Sequence, residues 1–140
     1  MRAVFADANY WVALLNPKEE LHPDAKRVSE ELGPCRIVTS EFVLLEMLKL
    51  LAAPRLRLKG IALRLIEDMR ADPNMEVVPA SSALFQKACK TYGQREDKKW
   101  DAIDCSSLVI MQERDISEAL TYDKHFEQMG FRALLRERAG

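Results

Sequence analysis

The chain has 140 residues, the size of one domain and too short for two well-buried cores. Hydrophobic residues make up 48% and charged residues 31%, a balance that excludes wholesale disorder. With 21 Lys and Arg against 22 Asp and Glu, the net charge is −1, so a nucleic-acid site would have to be a local basic patch. No apolar run is long enough to span a membrane, and Asp7 interrupts the N-terminal apolar run before a signal-peptide core forms. We therefore expect one cytoplasmic domain over residues 1–140.

Strand-like and helical patterns alternate along the chain. Short apolar segments predict five strands, at residues 3–6, 36–39, 75–79, 119–121 and 131–134. Helical spacing predicts helices at residues 8–15, 22–32, 40–53, 55–71, 81–92 and from 100 or 101 to 114, with a helical turn at 125–126. The charged residues 93–99 indicate a surface loop. The alternation predicts an α/β fold with a central parallel sheet covered on both faces.

The three cysteines lie far apart in the sequence, and neither histidine is near one of them. A zinc or iron–sulfur site needs clustered soft ligands, which this spacing does not offer. The cysteines are typical of reduced thiols in a cytosolic protein. Any metal chemistry would therefore depend on Asp and Glu oxygen atoms and a hard cation.

Four acidic residues occur in apolar surroundings: Asp7, Glu46, Asp104 and Asp123. An ionised carboxylate without a partner is costly to bury, so such residues are paired, neutralised or bound to a cation. Asp7 and Asp123 directly follow the first and fourth predicted strands. If these strands are parallel, both acids lie at the edge of the sheet where ligands bind in open α/β folds.

Each of the four acids also has a purely structural explanation. Asp7 is a suitable N-cap for the following helix, and Asp123 is a suitable turn residue. Glu46 can form an ion pair with Lys49 one turn further along its helix. Asp104 lies near a helix N-terminus, where the helix dipole favours negative charge.

Helical spacing relates these acids to two others. Asp101 precedes Asp104 by three residues, so both carboxylates can face the same space. Glu41 precedes Glu46 by five residues, about 140° around the helix, so these two do not share a face. Several converging carboxylates suit Mg²⁺ or Mn²⁺, and such a site supports attack by a metal-activated water on a phosphodiester.

Residues 4–9, the apolar helix around Glu46, and residues 104–106 and 120–126 resemble the PIN-domain family of nucleases in order and spacing. The resemblance is greatest to the VapC-type toxin ribonucleases, and it covers residues 3 to 135. It implies a three-layer α/β/α sandwich with a parallel sheet. It also implies an endoribonuclease that depends on Mg²⁺ or Mn²⁺.

The resemblance also implies roles for individual residues. The acidic quartet of the family, which binds the metal and carries catalysis, matches Asp7, Glu46, Asp104 and Asp123. Asn9 stands where the family often has Ser or Thr, and Thr121 matches a small hydroxyl residue before the last acid, so both are supporting residues. Asp101 is a departure from the family pattern, and it either adds charge to the metal site or caps its helix.

RNA has to approach this acidic site through basic residues. Two segments offer phosphate contacts: Arg55 and Arg57, with Lys59 and Arg64 after them, and Lys98 and Lys99, with Arg95 before them. The alternative is that both segments are simply solvated. The resemblance further implies a homodimer and a small antitoxin protein as partners.

Three other functions stay open at this point. The chain could be a free-standing housekeeping PIN ribonuclease, or a non-catalytic module that binds RNA or protein on the same fold. The segment Asp7-Ala8-Asn9 is also faintly similar to the start of haloacid-dehalogenase-like phosphatases, but it lacks their second acid.

Overall fold

The computed structural model describes residues 1–137. Its sheet has five strands: β1 (Arg2–Ala6), β2 (Cys35–Ser40), β3 (Met75–Val78), β4 (Glu118–Leu120) and β5 (Arg132–Ala133). Their order in the sheet is β3-β2-β1-β4-β5, and each neighbouring pair is parallel. The parallel α/β sheet predicted from the alternating pattern is confirmed.

The helices of the described residues lie between and after these strands. They are α1 (Ala8–Leu15), α2 (His22–Glu31), α3 (Glu41–Leu50), α4 (Lys59–Ala71), α5 (Ser82–Gln94), α6 (Ala102–Glu113) and α7 (Lys124–Gln128). Two short 3₁₀ helices follow α3 and β5, at Pro54–Leu56 and Leu134–Arg136. No helix among residues 1–137 combines the length and the apolar character that crossing a bilayer requires.

The central strand β1 is covered on both faces. Val4, Phe5 and Ala6 are consecutive and fully buried, and successive side chains of a strand point to opposite faces. This burial explains why the segment is continuously apolar instead of alternating. The helices therefore form layers on both sides of the sheet.

One predicted helix begins later than its apolar spacing indicates. The pattern predicts a helix from residue 55, whereas α4 begins at Lys59. Arg57 has a φ of 54°, in the left-handed region, so no right-handed helix can continue through it. The segment that carries Arg55 and Arg57 is therefore a 3₁₀ turn and a bend.

The strand order places a topological switch point beside β1. The chain runs from β1 to β2 on one side and later pairs β4 with the other side. Ligands of open α/β sheets bind outside the carboxyl ends of the strands at such a point. Asp7 follows β1 and Thr121 follows β4 at this edge of the sheet.

Candidate active site

Asp7 is buried at the carboxyl end of β1. Its Oδ1 accepts the backbone N–H of Ala8 at 2.9 Å, so the carboxylate does cap α1. Its Oδ2 accepts the hydroxyl of Thr121 at 2.8 Å. Burial raises the pKa of Asp7 from 3.8 to about 7, although both hydrogen bonds favour the charged form. The carboxylate is held in place, but its charge is poorly compensated.

The hydroxyl of Thr121 joins the ends of β1 and β4. Besides donating to Asp7, its Oγ1 accepts from Nδ2 of Asn9 at 3.2 Å and from the backbone N–H of Asp123 at 3.1 Å. Oδ1 of Asn9 in turn accepts the backbone N–H of Tyr122 at 3.2 Å. Asn9 and Thr121 thus join the segments that carry two of the acids, and their supporting role in catalysis stays a prediction.

Asp101 and Asp104 form a reciprocal cap at the start of α6. Oδ1 of Asp101 accepts the backbone N–H of Asp104 at 2.8 Å, and Oδ2 of Asp104 accepts the backbone N–H of Asp101 at 3.2 Å. Burial, and after it the charge of Asp101, raises the pKa of Asp104 to about 6, against the effect of a hydrogen bond from His125. Asp101 therefore caps the helix and also adds negative charge beside Asp104.

Asp123 lies beside Asp104 across the start of α7. Its Oδ1 accepts the backbone N–H of His125 at 2.9 Å and caps this short helix. The imidazole of His125 lies between the two carboxylates, with Nδ1 3.0 Å from Oδ2 of Asp104 and 3.4 Å from Oδ1 of Asp123. One ligand atom from each of these three residues lies within 4.8 Å of the others.

Glu46 is the half-buried acid of α3. Burial is the largest cause that raises its pKa, followed by the charges of Asp101 and Asp104. Lys49 opposes this shift without reversing it. The ion pair considered from the sequence therefore does not compensate the charge of Glu46.

The four predicted acids repel one another. The charges of Asp104 and Glu46 raise the pKa of Asp7, and the charge of Asp123 raises the pKa of both Asp104 and Glu46. Helix capping needs only one carboxylate at each helix and gives no reason for this mutual repulsion. The structure thus brings all four acids to one edge of the sheet, while their part in metal binding and catalysis stays a prediction.

Glu41 lies apart from this group, as the helical spacing predicts. Its carboxylate accepts the backbone N–H of Ala80 at 2.8 Å and a hydrogen bond from Arg70 at 3.0 Å. These partners, with Ala80 first, lower the pKa of Glu41. An acid of the same helix therefore has the opposite electrostatic environment.

The donor atoms of the site fit a hard or borderline divalent cation. Carboxylate oxygens predominate, and the one nitrogen donor of the group is Nδ1 of His125. Cys105 follows Asp104, but burial, with the charge of Asp104 after it, raises the pKa of its thiol to about 11. Since a thiol binds metals as the thiolate, Cys105 does not make this a soft-metal site.

The basic residues predicted to contact RNA lie in two places. Lys98 and Lys99 line an open groove of about 640 Å³, together with Tyr92, Arg95 and Trp100, and the groove reaches Asp101. Arg55 and Arg57 are exposed on the segment between α3 and α4. The groove therefore connects Lys98 and Lys99 with Asp101 of the acidic site, whereas RNA contact by Arg55 and Arg57 stays a prediction.

His125 and Tyr92 lie outside the set of residues predicted to form the site. In the sequence, the one feature that could have pointed to His125 is its position two residues after Asp123, at the start of a helical turn. Tyr92 lies at the end of a predicted helix, and its 56% exposure is the feature that marks it. Neither feature indicates a direction for the side chain before the fold is known.

A sequence profile described as the PIN domain matches residues 4–132 of the chain. The match covers most of the 140 residues and includes the four acids. The chain therefore belongs to the PIN-domain family.

The relatives found within this family agree with that result. The chain is 26% identical over 131 residues to a protein described as "23S rRNA-specific endonuclease VapC20" of Mycobacterium tuberculosis, covering 91% of this chain and 95% of that protein. The crystal structure of VapC20, which is described as a sarcin–ricin loop cleaving toxin, matches with a TM-score of 0.81 and covers the same 91% of this chain and 95% of that chain. The structure of FitAB bound to a DNA fragment matches with a TM-score of 0.68 at 13% identity, covering 97% of this chain and 98% of that one, and supports the fold alone.

Proposed function

We propose that this chain is an endoribonuclease that hydrolyses RNA phosphodiester bonds with the help of Mg²⁺ or Mn²⁺. The observation that carries the proposal is the convergence of four mutually repelling carboxylates at the switch point of a PIN domain. Its similarity to an endonuclease of rRNA supports the same reaction class. Buried carboxylates that raise one another's pKa are characteristic of functional sites.

The residues of the site would have separate roles in this reaction. Asp7, Glu46, Asp104 and Asp123 would hold the cation. When bound, the cation would lower the pKa of a water molecule and offset the charge of the scissile phosphate. Asn9 and Thr121 fix the carboxylates at the ends of β1 and β4, and Asp101 orients Asp104 through the cap of α6. Because these contacts exist before substrate binds, little reorganisation is needed for reaction.

RNA would enter along the groove that ends at Asp101. Lys98 and Lys99 line this groove and would contact phosphates there, and the exposed ring of Tyr92 would stack with an unpaired base. Arg55 and Arg57, exposed on the segment between α3 and α4, would be further phosphate contacts. These contacts offset the repulsion between RNA and the acidic site.

We further propose that the chain is the toxin of a toxin–antitoxin pair, acting in the cytoplasm as one PIN domain over residues 1–140. The description of VapC20 as a toxin supports this role. A homodimer and a small antitoxin protein would be its partners. An apolar cavity of about 180 Å³ between α3, α5 and α6, with Phe42 and the exposed Phe85 in its lining, supports a protein partner at that face.

Cleavage assays with purified protein test the proposed reaction. We expect total RNA to be cut at defined positions in Mg²⁺ or Mn²⁺, and we expect EDTA to stop cleavage. Mapping the 5′ ends of the products would identify the RNA. The matched control is Asp7→Asn, which should abolish every mapped cut. Cleavage that continues undiminished in EDTA, or in the Asp7→Asn protein, would contradict the proposal.

A further inference from the structure

His125 is the one described residue that places a nitrogen ligand atom within the group of acidic ligands. It lies in the first turn of α7, two residues after Asp123, which caps that turn by accepting the backbone N–H of His125. The same helical turn carries the imidazole, which lies between Asp104 and Asp123. Its Nδ1 lies 3.0 Å from Oδ2 of Asp104 and 3.4 Å from Oδ1 of Asp123.

These distances match the spacing of ligands around a small cation. An octahedral ion with ligands at about 2.1 Å places neighbouring ligand atoms about 3.0 Å apart. The distance from Nδ1 to Asp104 equals this value, and the distance to Asp123 exceeds it by a few tenths of an ångström. The three side chains can therefore share one ion after small rotations.

While no ion is bound, the contact between Nδ1 and Asp104 is a hydrogen bond. An ion at this position would take the Nδ1 lone pair in place of that hydrogen bond, with the imidazole proton on Nε2. The side chain of His125 is 21% exposed, so solvent and a small ion can reach it.

We infer that His125 is a direct ligand of the cation through Nδ1, together with Asp104 and Asp123, and that it gives the site a preference for Mn²⁺ over Mg²⁺. The inference rests on the proposed metal-dependent function. Imidazole binds transition metals well, whereas Mg²⁺ prefers oxygen ligands. The preference for Mn²⁺ therefore follows from one nitrogen ligand among ligands that are otherwise carboxylate oxygens.

The chain offers a matched control because it contains two histidines. His22 begins α2, and its Nδ1 lies 2.7 Å from the carbonyl oxygen of Ala13, outside the acidic group. In the His22→Gln protein, His125 is therefore the one remaining histidine. Any histidine signal from a bound metal in that protein belongs to His125.

The direct test is pulsed electron paramagnetic resonance of Mn²⁺ bound to untagged protein. We expect a nitrogen coupling of the imidazole type in wild type and in His22→Gln, and we expect it to change when histidine is labelled with ¹⁵N. The signal should be absent in His125→Gln. Because the labelled His22→Gln protein already assigns the signal, the test does not depend on the folding of His125→Gln.

Affinity measurements provide the second readout. In His125→Gln, and in His125→Asn as a second variant, Mn²⁺ affinity should fall about tenfold while Mg²⁺ affinity changes about twofold or less. An equal loss for both ions would mean that His125 only positions Asp104, and it would overturn the inference. Mn²⁺ that binds without a histidine coupling would overturn it too, while leaving the proposed ribonuclease intact. Wild type that binds Mg²⁺ but not Mn²⁺ would overturn the inference alone, whereas failure to bind either ion would contradict both proposals.

Discussion

Helix capping and the proposed cation binding would use the same carboxylate groups. Asp7 and Asp123 each accept a backbone N–H at the start of a helix, and both lie in the acidic group. A helix N-terminus favours negative charge, so these caps offset part of the cost of keeping carboxylates close together without a cation. The structural and functional explanations of these residues are therefore not exclusive, and substitutions have to separate them.

Asp104→Asn separates a structural role of Asp104 from a role in cation binding, because the two roles predict different changes in the stability of the metal-free protein. It keeps the size and most hydrogen bonding of the side chain while removing one repelling charge. Without metal, we expect the variant to be as stable as wild type or more stable. Its melting temperature should no longer rise with Mn²⁺, and cleavage should be lost. Thermal unfolding with and without Mn²⁺, beside the cleavage assay, measures all three effects.

Glu41→Gln is the matched control for this substitution on a nearby acid. Arg70 and the backbone N–H of Ala80 stabilise the ionised Glu41, so its neutralisation should cost about 1 kcal/mol or less of stability. Its response to Mn²⁺ and its cleavage should equal those of wild type. If the Asp104→Asn protein still cleaves RNA and is clearly less stable than wild type without metal, the role of Asp104 is structural.

The metal-free protein should become less stable as the pH rises from about 4 to about 7. The pKa of Asp7 is about 7 and that of Asp104 about 6 in the folded protein, against 3.8 ordinarily, so the folded state binds more protons across this range. The stability that protonation gives is present below pH 4 and is lost as the pH rises through these folded values. Urea unfolding in EDTA at pH 5, 6, 7 and 8 measures the slope.

The slope should be shallower in Asp7→Asn, because that variant lacks the carboxyl with the higher of the two pKa values. Saturating Mn²⁺ should also reduce the slope in wild type, since bound cations favour the ionised carboxylates. A metal-free stability that is constant or increases between pH 5 and 8 in wild type would contradict this account of Asp7 and Asp104.

At the scale of elements, the groove beside α6 predicts which basic residues contribute to RNA binding. The double substitution Lys98→Gln and Lys99→Gln should weaken RNA binding and make it less dependent on salt. If both lysines contact phosphates of single-stranded RNA, the slope of log K against log salt concentration should become shallower by about 1.4. Fluorescence anisotropy with a catalytically inactive Asp7→Asn background measures both quantities.

The control for this pair lies at the opposite edge of the sheet. Arg2 is the first residue of β1 and Arg36 is the second residue of β2, so both are far from the carboxyl ends of these strands. Arg2→Gln with Arg36→Gln changes the net charge equally and should leave the salt slope unchanged. Equal effects of the two pairs would show that the groove is not the RNA site.

The elements also show what a single sequence can predict. Apolar segments and polar turns predicted the alternating strands and helices, and the positions of Asp7 and Asp123 after parallel strands predicted that both lie at one edge of the sheet. Periodicity did not detect the bend before α4, because Leu58 and Ala62 keep helical spacing while Arg57 adopts a left-handed backbone. The contact of His125 with Asp104 joins two helices across 21 residues, and no local pattern encodes it.

At the scale of the whole molecule, the near-zero net charge limits how RNA can be held. With a net charge of −1, the protein has no overall field that attracts polyanions, and its site is acidic. Binding has to come from the few cations near the groove. Shape and single-stranded bases would then contribute much of the selectivity for RNA.

The hydrogen bond between Thr121 and Asp7 also affects how the protein is made. It spans 114 residues, and β4 must pair with β1 before it can form. At roughly 5–20 residues per second, translation needs about 6 to 23 seconds to proceed from one residue to the other. During that time Asp7 has emerged from the ribosome without Thr121, Asp123 or His125. A nascent chain of this protein therefore lacks an assembled site while it is still beside ribosomal RNA, and the site can form only after Thr121, Asp123 and His125 have been made.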